Sequence, residues 1–166
     1  MQSSPSPSWP GYAAAAAAFA FAVPSLYWAA GGMAGFGTLG GRIEELARER
    51  DTALVAATWV AFVLKVAGGF LALALVRPWG RRLPPRLLLR TAWAGAALLV
   101  VYGTSQTVTV ALLATEVVDD TQDLSSGALR WRLFLWEPWF LVWGVLLGLA
   151  AWSRRARQSR VEARHS

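Results

Sequence analysis

The sequence predicts an all-α integral membrane protein: a bundle of four transmembrane helices with a short amphipathic helix in the first external loop. Three observations predict it. Four stretches of at least 21 residues are almost free of charge, and a helix that spans a bilayer needs about 20 apolar residues. Only 16% of the chain is charged and 55% is hydrophobic, with a mean hydropathy of +0.40, whereas a soluble domain carries about 25% charge. The arginines gather on alternate connections between the apolar stretches.

Residues 1–11 hold Pro5, Pro7 and Pro10 and form a disordered cytoplasmic lead-in. With no Lys or Arg before it, the first span, 12–32, is retained rather than cleaved as a signal peptide. The first external loop, 33–52, contains Gly35–Gly40, a literal G-x-G-x-x-G. No strand precedes it, so it is a glycine linker and not a nucleotide site. Ile43, Leu46 and Ala47 then recur at helical spacing and predict the short amphipathic helix. Asp51 or Thr52 caps the second span, 53–76. The third span covers 91–114. The loop after it carries Glu116, Asp119, Asp120 and Asp123 without calcium-loop spacing and reads as a solvated polar segment, with Ser125 or Ser126 capping the fourth span. That span covers 131–152, so the transmembrane domain is 12–152, and 153–166 is a basic cytoplasmic tail.

Charge placement sets the orientation. The 77–90 loop carries five arginines and the tail five more, against five on the opposite side, where most of the acids lie. Counting Lys and Arg places both termini in the cytoplasm of a bacterial inner membrane. Trp79, Trp93 and Trp152 mark the inner edge and Trp131 the outer. The net charge of +6 is therefore mainly a topology signal. Its expected partners are the bilayer and anionic lipid headgroups, not nucleic acid. The absence of cysteine excludes disulfides, Cys-ligated zinc and Fe–S clusters, and the lone His165 in the tail excludes a bis-His haem inside the membrane. No metal or other cofactor is expected.

Two ionisable side chains interrupt the spans, Lys65 and Glu137. A charge in hydrocarbon costs about 2.5–3.5 kcal/mol and marks a functional candidate. At 1.5 Å per residue, Lys65 and Tyr102 lie roughly 18 Å below the outer edge, Gln106 roughly 12 Å, Glu137 roughly 9 Å and Tyr27 roughly 8 Å. Lys65 is expected to snorkel toward Glu137. The outcome is a buried ion pair supported by Tyr102 and Gln106, an outward-open ligand pocket with Tyr27 and Trp136 as walls, or two charges that do not meet. Pro138 kinks span four and frees the carbonyl of Phe134, and Pro24 does the same to Ala20 in span one. Gly144 and Gly148 form a G-x-x-x-G for close helix approach, within the bundle or in a homodimer. Gly68 and Gly69 offer a second such contact.

Two strings, Tyr27–Gly32 (YWAAGG) and Arg130–Gly144 (RWRLFLWEPWFLVWG), together with the four-span layout, resemble an uncharacterised actinobacterial family of small membrane proteins, a domain of unknown function. The resemblance covers roughly residues 12–152. It implies a four-helix inner-membrane protein and brings no activity, cofactor or catalytic residue. The leading functional expectation is an integral membrane protein that binds a small or lipidic ligand in the outer half, or serves as an accessory subunit. The alternatives are a proton-coupled transporter working as a dimer through the Gly144–Gly148 face, and a lipid-modifying enzyme using Glu137.

Overall fold

A computed structural model describes residues 8–115 and 125–162. The acidic segment with Glu116, Asp119, Asp120 and Asp123, most of the lead-in and the end of the tail with Arg164 and His165 lie outside the described residues. Among the described residues the structure is helical without a strand. Helix α1 is Trp9–Ala29, α2 is Gly41–Arg48, α3 is Thr52–Val76, α4 is Pro85–Ala114, α5 is Ser126–Trp131 and α6 is Glu137–Glu162. A π-helical segment, Arg132–Trp136, joins α5 to α6. Among the described residues four helices are long and apolar enough to cross a membrane: Trp9–Ala29, Thr52–Val76, Pro85–Leu113 and Ser126–Ser159. The chain is thus a multi-pass membrane protein by the length and composition of its helices.

The boundaries move from their expected positions where turn chemistry acts. Pro10 in the first turn starts α1 early, because its missing N–H would have no partner there anyway. Gly31, at φ 99°, ends α1 early: Gly31 N–H donates to the Trp28 carbonyl and Gly32 N–H to that of Tyr27, the paired bonds of a Schellman cap. The end of α2 repeats the motif on a non-glycine residue. Arg50 sits at φ 52°, Arg50 N–H donates to Ala47 and Asp51 N–H to Leu46. The Arg50 guanidinium then reaches back to the Gly31 carbonyl at 3.2 Å and ties the two caps together. Asp51 caps α3 by accepting from Leu54 N–H at 2.9 Å. Pro85 opens α4 six residues before the expected start.

The short amphipathic helix is present as α2. It buries Ala47, leaves Ile43 more exposed, and carries Arg48–Glu44 and Arg42–Glu45 pairs on its polar side. The 3₁₀ turn Phe36–Thr38 lies within the G-x-G-x-x-G string.

The long helices pack most extensively as two pairs, α1 with α3 and α4 with α6, and the pairs meet along α1 and α6. Between α3 and α4 an apolar groove of about 580 Å³ remains, lined by residues such as Leu64, Leu71, Leu88 and Leu98. Small residues dominate the core: Ala14, Ala15 and Ala18 of α1, Ala72 and Ala74 of α3, Ala92 and Ala96 of α4, Ala150 and Ala151 of α6 are all buried. Such residues let helix backbones approach closely where lipid offers no hydrophobic drive to association. Large apolar side chains, including Val63, Leu64, Leu98, Val101 and Phe134, face outward, as lipid-exposed helices require.

At the end bearing the arginine-rich loop, α6 continues ten residues past its expected limit. Arg154, only 8% exposed, donates to the carbonyls of Ala74 (2.6 Å) and Gly80 (3.2 Å), and Arg157 donates to Leu75 (3.3 Å). The last carbonyls of a helix have no intrahelical partner, so α6 supplies the missing donors to the end of α3 and the turn after it.

Candidate functional site

The site is built from α1, α3, α4 and the π segment of the last span. Pro138 cannot donate to the Phe134 carbonyl, and its ring would collide with that group in a regular α-helix. The chain answers by widening the preceding turn. Glu137 N–H donates to the carbonyl of Arg132, five residues back. In an α-helix residues five apart point about 140° away from each other. The wider π turn brings them onto one face, and Arg132 Nε donates to Glu137 Oε1 at 3.1 Å. Arg132 and Glu137 are 8% and 5% exposed, so this is a buried ion pair.

The expected bond between Lys65 and Glu137 is therefore not formed. Glu137 finds its counter-ion inside its own helix, and Lys65 turns to α1. Its Nζ donates to Ser25 Oγ at 2.7 Å and lies 4.0 Å from the centre of the Phe21 ring and 5.8 Å from that of Phe140. Among the described residues no carboxylate pairs with it. Phe140 also receives the edge of Tyr102 from α4, with ring centres 5.0 Å apart. Phe140 is thus a shared neighbour of Lys65 and Tyr102. Gln106 stands one turn beyond Tyr102 on α4.

The remaining predicted residues serve packing. Trp136 donates through Nε1 to Thr38 Oγ1 at 3.1 Å and lies between Trp28 and Phe21. The glycine-rich loop is thereby fastened to the last span through its threonine. Trp139 donates to the Ala17 carbonyl at 3.1 Å and stacks on Phe21. Tyr27 stays apart from the cluster. It is 47% exposed, its hydroxyl accepts from Ala34 N–H at 3.3 Å, and its ring fills the space where Gly32 would carry a Cβ. Tyr27 therefore braces the turn after α1.

The glycines separate by the same test. A Cβ on Gly144 would stand 2.9 Å from Leu99 Cβ and Val100 N, so this face is taken up by α4 within the bundle. Gly148 has only ordinary neighbours, Ala96 at 3.7 Å and Trp93 at 3.9 Å. Gly68 makes room for Trp143, and Gly69 for Phe19. Gly103, which the sequence did not single out, makes a closer approach between α4 and α6 than Gly144 does: its Cβ would lie 2.6 Å from the backbone nitrogen of Leu141.

Sequence reasoning places Arg132 at the edge of its span and misses it as the partner of Glu137. The Glu–Pro pair at 137–138 is the signal that the preceding turn would widen. Ser25, Phe21 and Phe140 are legible only by type, since nothing in the spacing says which helix each faces. Among the described residues no group of three or more His, Asp or Glu is placed to hold a metal ion.

No match to the chain was found among curated proteins or solved structures. A family model described as "Protein of unknown function (DUF3995)" matches residues 18–147, which takes in α3 and α4 whole, parts of α1 and α6, and both polar clusters, and the chain belongs to that family.

Proposed function

We propose that this chain is a four-span protein of a bacterial plasma membrane that binds a small or lipidic ligand, with Lys65 as the recognition group. One observation carries the reading: an ammonium near the middle of α3 meets a serine hydroxyl and two aromatic rings instead of a carboxylate. An ammonium has three donors, and Ser25 takes one. Contact with the Phe21 face returns about 0.5–2 kcal/mol, less than the insertion cost of about 2.5–3.5 kcal/mol. The remaining positive charge suits an anionic or carbonyl oxygen on the ligand. Tyr102 and Gln106 add a second polar edge beyond Phe140.

The 10-to-5 distribution of arginines supports cytoplasmic termini, with anionic headgroups at that face. Fifteen arginines to one lysine fit an actinobacterial source. A proton-coupled exporter working as a dimer has less support, because Glu137 already has a counter-ion and Gly144 is packed inside the bundle.

The test is native mass spectrometry of the protein extracted with its own lipids. The wild type is expected to retain a bound species that Lys65→Met loses and Lys65→Arg partly keeps, with all three equally helical by circular dichroism. Equal retention by Lys65→Met, or no bound species on the wild type, defeats the reading. The same spectra report any homodimer.

A further inference from the structure

The strongest unassigned feature is a cleft of about 1020 Å³ at the basic end of the bundle, between the turn after α3, the start of α4 and the last turns of α6. Arg77, Arg81, Arg86, Arg154 and Arg157 line it with Gln158, and among the described residues no carboxylate does. Its remaining walls are apolar, from Leu75, Val76, Leu89 and three prolines.

The arginines divide by role. Arg77 lies 5.4 Å from the Tyr12 ring, while Arg154 and Arg157 hold the carbonyls that end α3. Arg154 has a further donor, its Nε, buried without a partner. Arg81 and Arg157 bring like charge to the same guanidinium. Arg81 and Arg86 are exposed at the cleft. Like charges gathered around one cleft make a site that an anion completes.

We propose that this cleft is a binding site for a phosphate group. Guanidinium forks match phosphate oxygens, so Arg81 and Arg86 grip from the open side, while the buried Arg154 adds positive charge behind them. The apolar walls suit a phosphate carried on a lipid. Trp79, Trp93 and Trp152 are exposed, as side chains at headgroup level are.

The experiment uses the full chain in detergent, titrated with phosphatidylglycerol, phosphatidylcholine or inorganic phosphate and read by native mass spectrometry. Three proteins are compared: the wild type, Arg81→Gln/Arg86→Gln, and Arg82→Gln/Arg90→Gln. The last removes the same charge from the same loop at exposed residues that do not line the cleft. None of these substitutions touches the Arg154 bonds that hold the fold.

Wild type is expected to prefer phosphatidylglycerol over phosphatidylcholine. The cleft variant should bind it roughly tenfold more weakly, and the control should change little. Failure of millimolar inorganic phosphate to compete identifies a lipid phosphate, and competition identifies a soluble phosphate compound at the same site. Equal losses in the two double variants would mean diffuse surface electrostatics and overturn the proposal, as would the absence of any preference for the anionic lipid. Neither result depends on Lys65, which lies near the middle of α3.

Discussion

Alanine at Gly144 and alanine at Gly148 should have opposite consequences, although the two glycines belong to one G-x-x-x-G string. A Cβ at 144 would stand 2.9 Å from Leu99 Cβ and from the backbone nitrogen of Val100, about 0.5 Å inside the 3.4 Å at which ordinary contact begins. Backbone cannot rotate away as a side chain can, so α4 and α6 must part. Overpacking of this kind costs about 1–3 kcal/mol. At 148 the neighbours lie at 3.7 and 3.9 Å, so the methyl fits and gains contacts. Alanine also favours the helix over glycine by up to about 1 kcal/mol. That preference is common to both positions, so the two variants should differ in stability by the overpacking cost, about 1–3 kcal/mol, with Gly144→Ala the weaker. Reversible unfolding in mixed micelles, followed by the fluorescence of the ten tryptophans, measures the difference. Equal stabilities, or a larger loss at 148, would refute the packing argument. A Gly144→Ala protein of unchanged stability that loses a dimer would place this face between protomers instead.

Other contacts in the bundle and the placement of its charges set three more expectations. Arg132→Gln leaves the buried Glu137 carboxylate without this counter-ion and should cost about 3–5 kcal/mol, whereas Arg132→Leu/Glu137→Leu should cost less; the same unfolding assay decides this. Arg154→Gln removes two charge-assisted bonds to main-chain carbonyls, at about 1.5–3 kcal/mol each, so amide exchange near the end of α3 and residue 80 should rise while α2 is unaffected. With no native cysteine, Arg82→Cys should label only from the cytoplasmic side and Glu45→Cys only from outside, and the reverse pattern would invert the proposed orientation.

The four spans are legible because lipid tolerates so few charges that an uninterrupted apolar length declares itself. Their ends are less so. Pro10, Gly31 and Pro85 set them by local chain geometry, which hydropathy does not register. Lys65 and Glu137 stand out as charges, but their partners do not. Counting residues along a straight helix yields depth and says nothing of the direction in which a side chain points. The π segment compounds the difficulty, since one wide turn rotates everything after it and aligns Arg132 with a residue that α-helical spacing places elsewhere. Gly144 and Gly103 show the same limit. Small residues announce a close approach without naming the helix that approaches.

The clamp from Arg154 and Arg157 onto the end of α3 has a consequence in time. Chains are made from the N-terminus, and neighbouring segments pair first. Helices α1 and α3 can associate while α6 is still unmade, and α6 later closes on α4. Until Arg154 is synthesised, the carbonyls of Ala74 and Gly80 wait without these donors. The latch that secures the first pair of helices is thus delivered by the last, and it closes only after all four spans are in place.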